Sequence, residues 1–384
     1  MCVPRLRYAL DLGETMNLKR WRVLAILLVA FALVAASCGG DDDSDDSTDT
    51  TVAAQPDADP LKVAFVHVGP VADKGWSWAH DQGAEFMAAA LGSGVEITTL
   101  ESIPEGSDAQ RVFEDLAAQG NKLIFGTSFG YMDPMLAAAE NFPDTVFMHA
   151  TGFKVSENMG NYFGAAEEGR YLSGMAAGAA TTTNLIGYVA AFPIPEVLRG
   201  INAFTLGAQE VNPDAEVQVV WTSTWFDPPK EGTAAESLLD AGADVIAMHQ
   251  DSAAPGQAAE AAGAGWVGYN TDMTEFAPNA WLTAAIWDWG PYYLKTAREV
   301  IDGTWESGFV YGNMADGMVA IAPFGDSVDQ ATRDLILERE AEIKDGSFSV
   351  FSDPIVDQDG ASRELGDIFT MDFFVEGVIG SSSG

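Results

Sequence analysis

The chain has 384 residues, 47% hydrophobic and 10% aromatic, with 57 acidic residues against 19 basic ones. This is a globular composition, and the net charge of −38 argues against nucleic acid or an anionic membrane surface as a partner. Cys2 and Cys38 are the only cysteines, which leaves no structural disulfide and no cysteine metal site in a processed chain.

Residues 1–37 have the three parts of a secretory signal. Lys19, Arg20 and Arg22 form a basic region, and Val23 to Val34 is an uncharged apolar run. That run is short of the ~20 residues a spanning helix needs. Ala35-Ala36-Ser37 then precede Cys38. Small residues directly before a thiol resemble a bacterial lipobox, although Ala35 stands where Leu is usual. Cys38 is therefore expected to carry lipid and to become the first residue of the mature protein. Met1 to Thr15 lacks signal character, so translation from Met16 is expected. Removing residues 1–37 leaves 14 basic against 55 acidic residues, a net −41. Residues 38–60, rich in Asp, Ser and Thr, have little to bury and repel themselves, which reads as an extended, disordered tether.

From Leu61 onward, short apolar runs alternate with helical patterns, the signature of βα units and a parallel sheet. Lys62 to His67 reads as a strand. Trp76 to Leu91 reads as a helix with Ala79, Gly83, Phe86, Met87 and Ala90 on one face. Val95 to Leu100 is a strand. Ser107 to Gln119 is a helix with Ser107 and Gln110 as a capping box and Val112, Phe113 and Leu116 inward. Leu123 to Thr127 is a buried strand. Asp133-Pro134 reads as the cap and first turn of another helix. Val146 to His149 is again a strand.

The second half repeats this order. A shift of 122 lays Val63 on Leu185, Val95 on Val217, Leu116 on Leu238, Gly120 on Gly242, Leu123 on Val245 and Phe147 on Tyr269. The expected fold is α/β: two similar doubly wound parallel-sheet lobes, 61–180 and 184–305, joined by a hinge. Residues 306–384 differ in pattern. They include an amphipathic helix, Ser327 to Lys344, with Ala331, Leu335, Ile336 and Ile343 inward, and a tail expected to pack on the lobes.

Ligands of open parallel sheets sit beyond the carboxyl ends of the strands. Those ends carry His67, Asp73, Trp76 and Trp78, then Glu101, then Ser128, Phe129 and Tyr131, then His149 and Thr151. The second lobe adds Phe192, Trp221 and Trp225, His249 and Asp251, and Asn270 and Asp272. Trp287 and Trp289 flank a later helix. Nine aromatics near one cleft, with a few amide and carboxyl groups, suit a planar heteroaromatic ligand. An Asn amide can pair bidentately with adenine N6 and N7. His67, His149 and His249 share these strand ends but show no HxH or HExxH spacing, so no metal and no cofactor is expected. A nucleophile elbow, a Walker loop and GxGxxG are all missing, and an enzyme is not expected.

Four stretches resemble the basic membrane protein family of ABC-importer lipoproteins. They are Asp73-Lys74-Gly75-Trp76, Glu168-Gly169-Arg170-Tyr171-Leu172-Ser173-Gly174, Gly268-Tyr269-Asn270-Thr271-Asp272-Met273, and Asp372-Phe373-Phe374-Val375-Glu376-Gly377. The resemblance spans nearly all of 61–384. It implies a type I periplasmic-binding-protein fold, a purine-type ligand, permease and ATPase partners, and a lipid anchor at the outer face of the cell membrane. Nucleoside binders of the family hold ribose with an Asp and a Lys. Asn270 and Trp287 stand at those positions here, like a subgroup that binds a free nucleobase such as adenine. The ligand-binding residues expected are Asp73, Trp76, Trp78, Phe129, Phe192, Trp225, Asp251, Asn270, Asp272 and Trp287. Trp76 with Phe129 or Phe192 would stack, and Asp73, Asp251 and Asn270 would hydrogen-bond. A monomer is expected. The alternatives are a purine nucleoside binder and a surface receptor that signals without transport.

Overall fold

The computed structural model describes residues 59–352 and 354–384; the signal segment and Cys38 lie outside the described residues. The first βα series runs β1 (Leu61–His67), α1 (Trp76–Leu91), β2 (Val95–Leu100), α2 (Ser107–Ala118), β3 (Leu123–Thr127), α3 (Met132–Asn141), β4 (Val146–Ala150) and β5 (Met159–Gly164). After α4 (Ala166–Ala180), the second runs β6 (Leu185–Ala190), α5 (Pro195–Val211), β7 (Glu216–Trp221), α6 (Pro228–Asp240), β8 (Val245–His249), α7 (Ala254–Ala262), β9 (Gly265–Asn270) and β10 (Trp281–Trp287). Then come α8 (Gly290–Asp302), β11 (Phe309–Gly312), β12 (Val319–Ile321), α9 (Gln330–Asp345), β13 (Ile355–Val356), β14 (Ser362–Arg363) and β15 (Val378–Ile379).

The first sheet is ordered β11-β5-β4-β3-β1-β2 and is parallel throughout. The second is ordered β12-β10-β9-β8-β6-β7-β15, with only β12 antiparallel. Both sheets therefore place their first strand between their second and third, as doubly wound sheets do. The 122-residue shift also carries Met159, the start of β5, onto Trp281, the start of β10. Central strands such as β3 and β8 are buried at every residue, as expected for strands covered on both faces.

Two helices are exchanged between the lobes. The sequence order assigned residues 166–180 to the first lobe, but α4 packs in the second. Its Tyr171, Leu172 and Met175 share a core with Ile201 and Phe204 of α5. A Cβ on Gly174 would fall 2.1 Å from the Phe204 carbonyl oxygen, and one on Gly207 would fall 2.0 Å from that of Tyr171. The two helices thus touch backbone to backbone, which only glycine permits. Conversely α8, assigned to the second lobe, covers the first: Tyr293 and Ala297 pack with Val63, Phe65 and Met87. The chain crosses between sheets near 164–166, 287–290 and 312–319. Such short crossings leave the βα pattern unchanged, so periodicity cannot report them.

Residues 306–384 serve both lobes. β11 extends the first sheet and β15 the second. Ile336 and Ile343 of α9 join the second lobe's core. Phe369 packs on Tyr311 of β11, rings 4.9 Å apart, while the neighbouring Ile368 carbonyl accepts from Arg199 of α5.

Some local expectations are corrected. Gly106 stands at the N-cap of α2, and Gln110 bonds Glu114 at 2.9 Å instead of closing a capping box. Asp133 lies within the first turn of α3, not at its cap, and pairs with Lys154. Phe86 and Ala90 of α1, and Ala331 and Leu335 of α9, face outward. In α1 the buried stripe turns instead toward Ser77, His80 and Ala84, and in α9 it narrows to Ile336 and Ile343.

Candidate functional site

Asp73 organises the first lobe's contribution. Its carboxylate accepts from the backbone N–H groups of Gly75 at 2.7 Å, Ser77 at 3.0 Å and Trp78 at 3.0 Å. It satisfies the orphan donors at the start of α1, so its role here is to fix the turn that carries Trp76. The Trp76 indole N–H donates to the Thr127 carbonyl at 2.7 Å. His80 at 4.2 Å, Trp289 at 5.9 Å and Trp287 at 6.0 Å all stand edge-on to its ring. The ring therefore cannot turn freely. Glu105 holds the next loop, accepting from the Ser128 hydroxyl and the Gly130 N–H.

The second lobe supplies polar groups. Arg170 is fully buried, with its guanidinium 3.4 Å over the Tyr269 ring and Nη1 donating to the Met248 carbonyl at 2.8 Å. Tyr269 in turn packs on His249, rings 4.5 Å apart. Trp225 is backed by Phe192 at 4.9 Å. Asn270, buried with φ +72°, donates to Asp251 at 3.2 Å and accepts from the Trp287 indole at 2.9 Å. Both ends of its amide are thereby engaged.

Between the lobes lies a small cavity of about 20 Å³, well below the ~300–1,000 Å³ typical of ligand sites. Val68, Trp76, Ser128, Phe129 and Thr151 line it from the first lobe; Glu196, Trp225, His249, Asp251 and Tyr269 line it from the second. The lobes are closed over it. Thr271 donates to the Lys74 carbonyl, and a Cβ on Gly75 would lie 2.3 Å from the Asp251 carbonyl oxygen.

Burial dominates the electrostatics. It drives the Asp251 carboxyl well above the usual range, and the nearby Asp73 and Glu231 charges push it further. Burial also raises Glu196 to about 7 and Asp73 to about 6. It holds His249 well below its usual value, helped by Arg170 and Arg199. The cavity wall thus carries far less charge near neutral pH than its residue types suggest. Flat apolar faces opposed by uncharged donor–acceptor groups suit a planar, neutral solute.

Of the residues expected from sequence, Trp76, Phe129, Trp225 and Asp251 line the cavity. Phe192 backs Trp225, and Asn270 and Trp287 stand behind Asp251 and Trp76. Asp73 caps α1 instead of lining the cavity. Trp78 lies outside, under the Lys74 ammonium at 3.5 Å. Asp272 is exposed and accepts from Thr274 in its own turn. Glu196 was missed. It follows Pro193-Ile194-Pro195, a turn signal, and the strand-end rule applied past Phe192 would have reached it. The strand-end histidines His67 and His149 bond Thr127 and Ser128 from beneath the cleft.

Two α/β lobes closed over a cavity at their strand ends define a solute-binding receptor. Solved structures share this fold. A solute-binding protein of Aeropyrum pernix matches with TM-score 0.66 and 18% identity, over 77% of this chain and 94% of that one. One from Conexibacter woesei matches with TM-score 0.62 and 22% identity, over 76% and 100%. A family model described as ABC transporter substrate-binding protein, PnrA-like, matches residues 61–350. The chain belongs to that family, the basic membrane proteins, whose members bind solute outside the cytoplasm and work with permease and ATPase components. It is 45% identical over 327 residues to the purine-binding protein of Brucella abortus, covering 83% of this chain and 93% of that one. It is 43% identical over 334 residues to a Haloferax volcanii protein provisionally named an ABC transporter glucose-binding protein, covering 86% and 84%. The nucleoside-binding protein of Lactococcus lactis is 26% identical over 353 residues, covering 86% and 98%.

Proposed function

We propose that this chain captures a purine nucleobase for an ABC importer while held at the outer face of the cell membrane by lipid on Cys38. The observation that carries the reading is the lining of the interlobe cavity, with aromatics from both lobes and carboxyls whose acidity burial weakens. A flat, neutral heterocycle stacks there without meeting a full charge. The purine-binding relative supports the same ligand class. The Trp287–Asn270–Asp251 chain of hydrogen bonds favours a free base over a nucleoside. In it, the positions that would read ribose hydroxyls are bonded to one another.

Calorimetry on the mature chain with adenine, guanine, adenosine, inosine and glucose tests this. Heat with adenine and little with either nucleoside is expected. Binding of adenosine without adenine would mean that Trp287 leaves room for ribose. Binding of glucose alone would transfer the chain to sugars, as the name of the Haloferax relative suggests. Labelling with radioactive palmitate in a bacterial host, lost in Cys38→Ala, tests the anchor.

A further inference from the structure

Glu196 sits in the first turn of α5 and lines the cavity from the second lobe. Its side chain is only 10% exposed, and among the described residues Oε2 takes no hydrogen bond. Oε1 stands 3.8 Å from His249 Nε2, too far for a hydrogen bond. A buried carboxyl with a free oxygen in a solute cavity needs a partner, since an unpaired polar group there costs about 1–3 kcal/mol. The Thr151 hydroxyl, itself unpaired across the cavity, and the solute are the groups positioned to supply one.

We propose that Glu196 reads the ligand's edge as a neutral carboxylic acid, and that it selects 6-aminopurines over 6-oxopurines. This rests on the purine reading above. A neutral carboxyl offers one O–H donor beside one C=O acceptor. Adenine offers the complement, N7 as acceptor beside the N6 amino donor, and so can pair with it twice. Guanine and hypoxanthine in the N9–H form, held by that same edge, present two acceptors, O6 and N7, and leave the carboxyl oxygen unpaired.

The surroundings favour the neutral acid. Burial raises this carboxyl to about 7, and the Glu105 charge adds to the shift. The Arg199 guanidinium, one turn along α5, and the Thr151 hydroxyl pull it back only part of the way. His249 and Asp251 face it from the end of β8 and beyond, and Tyr269 from β9. Burial lowers His249 and raises Asp251, so neither is pushed toward the positive charge that would ionise Glu196.

The test is calorimetric affinity for adenine and hypoxanthine between pH 6 and 8.5, with wild type, Glu196→Gln and Glu196→Ala. If binding requires the protonated acid, wild-type affinity for adenine falls about 30-fold from pH 6 to 8.5. The glutamine amide has the same donor–acceptor pair and does not titrate. Glu196→Gln should bind adenine within about threefold of wild type at pH 6 and hold that affinity at pH 8.5. Glu196→Ala should be weakened at least tenfold at pH 6, and hypoxanthine should bind wild type at least tenfold more weakly than adenine. A flat wild-type profile for adenine, Glu196→Gln as weak as Glu196→Ala, or equal binding of hypoxanthine would overturn the proposal and leave the purine reading standing. Wild type that binds no purine at any pH overturns both.

Discussion

The two walls of the cleft are built on the same strand order but do different work. The first lobe contributes a locked indole and small hydroxyls; the second contributes Glu196, His249 and Asp251. Trp76 is fixed by Asp73, Thr127 and three edge-on rings. Glu196 and His249 each keep a buried polar atom unpaired. The first wall therefore supplies a rigid stacking surface and one free hydroxyl, Thr151, and the second supplies most of the unsatisfied groups that can discriminate. A duplicated scaffold can divide these tasks because its strand-end loops vary independently of the sheets beneath.

Keeping the walls apart should have the largest effect. Gly75→Ala places a methyl 2.3 Å from the Asp251 carbonyl oxygen in the closed form. We expect a penalty of ~3 kcal/mol, the upper range for overpacking, and about 100-fold weaker solute capture. Small-angle scattering should show the variant remaining expanded with ligand present; wild-type affinity would show that closure does not bring these atoms together. Next is the first wall itself. Trp76→Ala removes a stacking face worth about 2–3 kcal/mol per base, or 30- to 150-fold in affinity. An affinity loss under threefold by calorimetry would move the stacking role to Phe129 or Trp225.

The second wall can be probed without ligand. Glu196 titrates near 7 in the fold against 4.5 as a free side chain. Its raised value adds stability that is fully present below pH 4.5 and is lost as pH rises through 7. Glu196→Gln does not titrate. Its unfolding free energy relative to wild type should rise between pH 4.5 and 7 and then level off, by on the order of 3 kcal/mol. A constant difference across that range would mean that the carboxyl is solvated. The smallest effect belongs outside both walls. Asp272→Ala, at an exposed turn, should change affinity and stability by less than ~0.5 kcal/mol.

Much of this was legible in the chain. The 122-residue shift anticipated the shared strand order, and Trp76–Leu91 and Leu123–Thr127 were bounded as observed. These elements are set by local periodicity and by burial on two faces. The site was only partly legible. An acid at a helix start can bind a ligand or cap the helix; Asp73 caps, which depends on where three N–H groups point. Asn270 and Trp287 were noticed as departures from the nucleoside pattern, but their bond to each other is a tertiary fact. Glu196 was hidden by the prolines around it.

The exchange of α4 and α8 has a consequence for how the protein is made. The first sheet is not covered until Tyr293 and Ala297 arrive, and its edge is not paired until Gly312 does. Neither lobe is a contiguous stretch of chain, so neither can be completed before segments of the other have been made. Contacts this distant in sequence slow folding. The exchange also couples the two lobes into one cooperative unit. A cut between residues 180 and 184 would separate each sheet from a helix it needs.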